Sequence, residues 1–166
     1  MNFTELYKKQ KELDTYIEEK HRLQTESLLD RKLMALHVEI SELANETRCF
    51  KFWSEKGPSP QTTILEEYVD GIHFILSVGL EYGYEDQPLI PFSEEGKKEG
   101  QSLVPYFYAV IESIGTLRKE GDRKSFEQLF HTYLSLGSVL GFTEQDIISA
   151  YEEKNEINHE RQDSGY

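Results

Sequence analysis

The chain of 166 residues carries 31 Asp and Glu against 18 Lys and Arg, a formal net charge of -13. That length suits one domain with one sizeable core, and the sign of the charge excludes passive binding to nucleic-acid backbones or anionic membranes. Cys49 is the only cysteine, which rules out an intrachain disulfide framework, and aromatic residues at 12% are too many for a disordered acidic chain.

The apolar periodicity is helical almost throughout. Leu6, Gln10, Leu13 and Ile17 share one stripe, which predicts a first helix over residues 3–24 with one polar member, Gln10. A second helix is predicted from about Leu28 to Glu55, with Leu36, Ile40, Leu43, Thr47 and Phe50 on one face, ending at Gly57-Pro58-Ser59-Pro60. The third, about Thr63 to Tyr82, is apolar around most of its circumference, as a central helix would be. Gly83 to Gln101 holds Pro88, Pro91, Gly96 and Gly100 amid charges and is expected to be an exposed, mobile loop. Two helices follow, about Ser102–Lys119 and Arg123–Leu140; Pro105 is compatible only with a first turn. Thr143 with Asp146 resembles an N-cap opening a last helix over 144–154, ahead of a tail, 151–166. No segment alternates as a strand would, so an all-α fold in a single domain, 1–166, is expected. The N-terminus MNFTELYKKQ lacks an apolar signal core and no apolar run would span a bilayer, so the expectation is a soluble, cytoplasmic protein.

Glu39, Glu42 and Glu46 on the second helix fall within an arc of about 60°, flanking the apolar stripe rather than opposing it. Glu67 and Asp70 on the third helix share a side with Ile64, Phe74 and Val78, and no Lys or Arg lies between Lys56 and Lys97 to neutralise them locally. A carboxylate among core-facing residues costs heavily in desolvation unless paired. A hard divalent cation, Mg²⁺ or Mn²⁺, would meet that need with oxygen ligands, and two helices with acids at i and i+3 can aim four carboxylates into one bundle interior. Glu-x-x-Glu alone is usually a solvated face; the Glu67/Asp70 pair on a nearly all-apolar helix is harder to explain that way.

Gln10 has Asp14 one turn on, and a buried amide beside a carboxylate would suit the polar edge of a small planar group, or simply a structural hydrogen bond between helices. Trp53 fits either a stacking lid or ordinary core. In the tail, Lys154, Asn158 and Arg161 recur at i, i+4 and i+7, a cationic edge suited to a phosphate chain if the helix continues, and a frayed charged terminus if it does not.

Together these segments resemble the dimeric, all-α dUTPase family. The matching stretches are Gln10-x-x-Leu13-Asp14, Glu39-Ile-Ser-Glu42-Leu-Ala-Asn-Glu46 running into Phe50-Lys51-Phe52-Trp53, Glu67-Tyr-Val-Asp70-Gly-Ile-His73-Phe74, and Lys154-Asn155-x-x-Asn158-x-x-Arg161-Gln162-x-x-Gly165-Tyr166. The resemblance is weakest from Gly83 to Leu140. It implies a helical bundle with a four-helix core of the all-α NTP pyrophosphatase type, acting as a homodimer that hydrolyses dUTP, with dUDP as a second candidate, to dUMP and pyrophosphate. It further implies Mg²⁺ held by Glu39, Glu42, Glu67 and Asp70, and Glu39 or Glu42 as acceptor of the water's proton. Gln10 and Trp53 would line the uracil pocket with His73 nearby, Phe74 would pack on the deoxyribose, and Asp70 would also meet the 3′-hydroxyl. Lys154, Asn158, Arg161 and Tyr166 would close over the phosphates. Asp14 stands where some relatives carry Asn; as a carboxylate it accepts from uracil N3–H but donates nothing to O4. Two rivals remain at this stage: a MazG-like pyrophosphohydrolase of broader specificity, against which Gln10 and His73-Phe74 argue, and a non-catalytic helical module that binds a protein partner.

Overall fold

The computed structural model describes residues 1–94 and 100–165. Its helices are α1 (Thr4–His21), α2 (Leu29–Thr47), α3 (Gln61–Tyr82), α4 (Val104–Glu120), α5 (Arg123–Leu140) and α6 (Glu144–Asp163). Among the described residues there is no strand, only an isolated bridge between Asn2 and Leu89, so the fold is an all-α bundle. None of the helices is long and apolar enough to cross a membrane.

α3 is the central helix that its apolar circumference predicts: it packs against α1, α2, α5 and α6, while α4 closes the far side against α2 and α5. Its contact with α5 is made by a reciprocal exchange of tyrosines. Tyr68 and Tyr133 stack in parallel at 4.6 Å, Tyr133 Oη donates to the Tyr68 carbonyl at 2.7 Å, and Tyr68 Oη donates to the Tyr133 carbonyl at 3.2 Å. Each ring lies over a glycine of the opposite helix, Tyr133 on Gly71 and Tyr68 on Gly137. With Tyr68 turned toward α5, Glu67 and Asp70 on the same helix are left to face α2 and α6.

Three stretches differ from expectation. α2 stops at Thr47 instead of near Glu55, because Arg48 takes a left-handed conformation (φ 55) and its guanidinium ties the following loop through the Lys56 carbonyl and Ser54 Oγ. Phe50, predicted to extend the core stripe, is therefore exposed and forms an aromatic corner with Phe52 and Trp53. α6 runs to Asp163 rather than ending near 154. A capping box at Thr143 and Asp146 opens it, and polar ties to α1 carry it onward: Lys9 to Glu152 at 2.6 Å, His21 to Gln162 at 3.0 Å, and Tyr16 to Asp163. Such a helix shows little apolar periodicity, which hid its length. Finally, the expected mobile loop is partly anchored, since Phe3 N–H donates to Pro88 O and Ile90 N–H to Met1 O; residues 95–99 of that predicted loop lie outside the described residues.

Candidate active site

α1, α2, α3 and α6 surround a cavity of about 330 Å³. α1 supplies Gln10, Leu13, Asp14 and Ile17; α2 supplies Glu39; α3 supplies Asp70, His73, Phe74 and Ser77. The α6 wall is Lys154, Asn158, Arg161 and Gln162. A larger hollow of about 420 Å³ near Tyr84, Arg123 and His131 contains none of the residues singled out from the sequence, and Arg123 there is engaged by Asp86 at 2.7 Å.

At one end of the cavity the acids meet. Glu39, Glu67 and Asp70 each offer a carboxylate oxygen within 4.8 Å of the others. Burial and the facing Asp70, Glu42 and Glu67 push the Glu39 carboxyl up to about 7. Glu67 is raised by its burial and then by Asp70 and Glu42. Asp70 is raised by burial and drawn back by Lys154, whose ammonium donates to Asp70 Oδ2 at 2.7 Å. Glu42 is exposed at the rim of the group, close enough to act on all three electrostatically. Glu46 holds the Ser59 hydroxyl and is near enough to Glu67 to add to its shift. An all-oxygen, anionic donor set with unmet proton affinity fits a hard divalent cation such as Mg²⁺ or Mn²⁺.

These shifts have a sign. Carboxyls held above their unfolded values favour the folded state most when protonated, so their contribution is complete in acid and is lost as pH rises through the folded pKa. With divalent cations chelated, melting temperature should therefore fall between about pH 5 and pH 8, and Glu39→Gln should flatten that slope. An equal slope in the variant would show that Glu39 is not carrying the proton.

The opposite end of the cavity is a polar network between α1, α3 and α6. Gln10, 3% exposed, donates from Nε2 to Asp14 Oδ1 at 2.7 Å. Its Oε1 accepts from Tyr151 Oη at 2.8 Å and from His73 Nδ1 at 2.8 Å. His73 also stacks on Tyr151 at 4.0 Å. Burial, then the Lys154 charge, hold the imidazole down to about 3. It is therefore neutral, and because Nδ1 faces a carbonyl oxygen the proton resides there, leaving Nε2 as a bare acceptor. That Nε2 is buried without a hydrogen-bond partner.

Most residues predicted from the sequence thus converge on one cavity. Trp53 does not: it is 65% exposed at the loop after α2 and absent from the lining, because α2 ends before it and turns it outward. Tyr166 lies outside the described residues. Ser77, Lys32 and Tyr151 were missed. Ser77 is legible in retrospect at i+4 from His73 and i+7 from Asp70, and Tyr151 at i−3 from Lys154 and i−7 from Asn158, whereas Lys32 reaches the network from another helix, with no local spacing to betray it.

A family model described as dUTPase matches residues 2–166 of the chain. No curated protein matches it.

Proposed function

The chain belongs to the dUTPase family, a family of dUTP diphosphatases, and from that premise we propose that it hydrolyses dUTP to dUMP and pyrophosphate with Mg²⁺ held by Glu39, Glu67 and Asp70, Glu42 completing the set from the rim. The observation that carries this reading is the convergence of an acid cluster, a hydrogen-bonding pocket and a cationic helix edge on one cavity.

Each part has work suited to its chemistry. A divalent cation held by these acids would supply charge neutralisation on the phosphates and lower the pKa of the attacking water. Glu39 or Glu42, beside the cation, would accept the proton of that water. Arg161 and Asn158 receive the phosphate chain, and Lys154 moves to it from Asp70. The deoxyribose rests against Phe74, which leaves no room for a 2′-hydroxyl, and Asp70 accepts from the 3′-hydroxyl. The base enters the end lined by Gln10, Asp14 and His73. Tyr166 would add to the phosphate contacts from the end of the chain.

We also read the protein as a homodimer. Phe52 (94% exposed), Trp53 and Phe50 cluster on the surface, Tyr108 lines a shallow hollow beside Phe50, and Met34 and Val38 are exposed one turn apart on α2. So much exposed aromatic surface is suited to a partner. Such an arrangement also gives Trp53 a route to a base pocket, that of the second copy. Phe52→Asp should halve the mass seen by sedimentation; a wild-type monomer would remove this reading.

The experiment that decides the activity is a panel of nucleotides assayed for pyrophosphate release with and without Mg²⁺. Turnover of dUTP well above dCTP, dTTP and UTP, lost on chelation, is the expected result. Equal turnover across the panel would instead indicate a broad pyrophosphohydrolase, and none at all would end the enzymatic assignment of these residues.

A further inference from the structure

We infer that Lys32 is a positioning residue for base selection: from behind the cavity wall it holds the Asp14 carboxylate in place and, through Asp14, fixes which end of the Gln10 amide meets the base. The inference rests on the reading of the cavity as a dUTP site.

Asp14 stands between two hollows. One is the substrate cavity; the other, of about 260 Å³, lies behind it and is lined in part by Lys32, Glu18 and Glu81. From that second side Lys32, its side chain only 12% exposed, reaches Asp14 Oδ2 at 3.2 Å, Glu18 at 3.3 Å and Glu81 at 2.6 Å. Burial alone would weaken this ammonium, yet Asp14 and Glu81 hold its pKa above the ordinary value, so it stays charged. Ser77 Oγ donates to the same Asp14 oxygen. Without Lys32, three carboxylates would face one another across this gap, and Asp14 would be driven from its place.

The direction of every hydrogen bond beyond Asp14 follows from its charge. A carboxylate only accepts, so Gln10 must turn Nε2 toward it and Oε1 toward His73 and Tyr151. Both lone pairs of Oε1 are then used, and Gln10 has no acceptor left for a ligand. What it retains is its second N–H. Beside that N–H, Asp14 is the acceptor that this wall presents to the cavity. A donor beside an acceptor complements the N3–H and neighbouring carbonyl of a pyrimidine imide. Cytosine in the same register sets its N3 lone pair against Asp14 and its N4 amino group against the Gln10 N–H, and is rejected because a buried polar group left facing its own kind costs more than a missing contact. If Asp14 moves, the amide is free to flip and the distinction is lost.

The test compares Lys32→Met, which keeps the apolar stem, with Lys32→Arg, which keeps the charge, by kcat/KM for dUTP and for dCTP alongside melting temperature. In Lys32→Met the ratio of dUTP to dCTP should fall about tenfold or more, chiefly through KM for dUTP, with Lys32→Arg recovering most of it. A fall in stability with the ratio unmoved would assign Lys32 a merely structural role and overturn the inference. Should Lys32→Met fail to fold, Lys32→Gln, which keeps a hydrogen-bond donor without the charge, takes its place, and an unchanged ratio in that variant overturns the inference equally. A wild-type protein with no preference for dUTP would overturn the reading of the site itself, whereas a selective wild type with an equally selective Lys32→Met would overturn only the role of Lys32.

Discussion

Asp70→Asn should reduce Mg²⁺-dependent pyrophosphate release by on the order of 10²–10³-fold or more while leaving the protein folded. Asp70 is the member of the acid cluster with two engagements, toward Glu39 and Glu67 and toward the Lys154 ammonium. Glu67→Gln makes the complementary variant, since it removes a carboxylate charge from the cluster without touching the Lys154–Asp70 contact. It should lose comparable activity. Because Glu67 is raised by burial and by its acidic neighbours, neutralising it relieves repulsion, so its melting temperature in chelator should equal or exceed that of the wild type. The rise in melting temperature that Mg²⁺ gives the wild type should disappear in both variants. Near wild-type turnover in Glu67→Gln would remove the acid cluster from the chemistry and return it to surface decoration.

Gly71→Ala should be among the most destabilising single-methyl changes in the chain, at about 3 kcal/mol, a drop of roughly 6–12 °C in melting temperature. A Cβ there would stand 2.1 Å from Tyr133 Oη and 2.6 Å from its Cζ. Tyr133 is fully buried, stacked on Tyr68 and hydrogen-bonded to α3, so it has nowhere to withdraw. Tyr133→Phe in the same chain should not restore stability, because the ring carbon remains too close once the hydroxyl is gone. Gly115, exposed in the middle of α4 with nothing near its missing Cβ, is the control: Ala there should be neutral or stabilising by up to about 1 kcal/mol. Similar losses at the two positions would mean that helix propensity, rather than the tyrosine contact, governs Gly71.

The features legible in the sequence are those in which one helix face speaks for itself. α3 announces its central place through apolar residues on every side, and Glu67 and Asp70 stand out because such a helix gives carboxylates no solvent to face. The same logic misled where an apolar spacing outlived its helix: Phe50 continues the α2 stripe in register, but Arg48 turns the backbone and the ring goes to the surface. It also ran out where polarity does the holding. α6 beyond residue 154 is fixed by bonds to α1 whose partners are more than 140 positions away in the chain, and no periodicity reports them. Lys32 is the extreme case, since a lysine on a mixed helix face is ordinary until the fold brings Asp14, Glu18 and Glu81 around it.

The residues of α6 that are buried are Ile147, Tyr151 and Asn155, with none further along. The two turns after Asn155 are therefore secured laterally, by side-chain bonds from Tyr16 and His21 at the surface, each of modest worth in water. Local opening of that helix end costs little compared with opening of α3 or α5, and its amide protons should exchange with solvent well before theirs. Asn158, Arg161 and Gln162 ride on this segment. If the cavity takes a nucleotide as proposed, the wall that would contact it is also the one whose fraying would admit it, and exchange of the nucleotide should follow the helix–coil equilibrium of these eight residues.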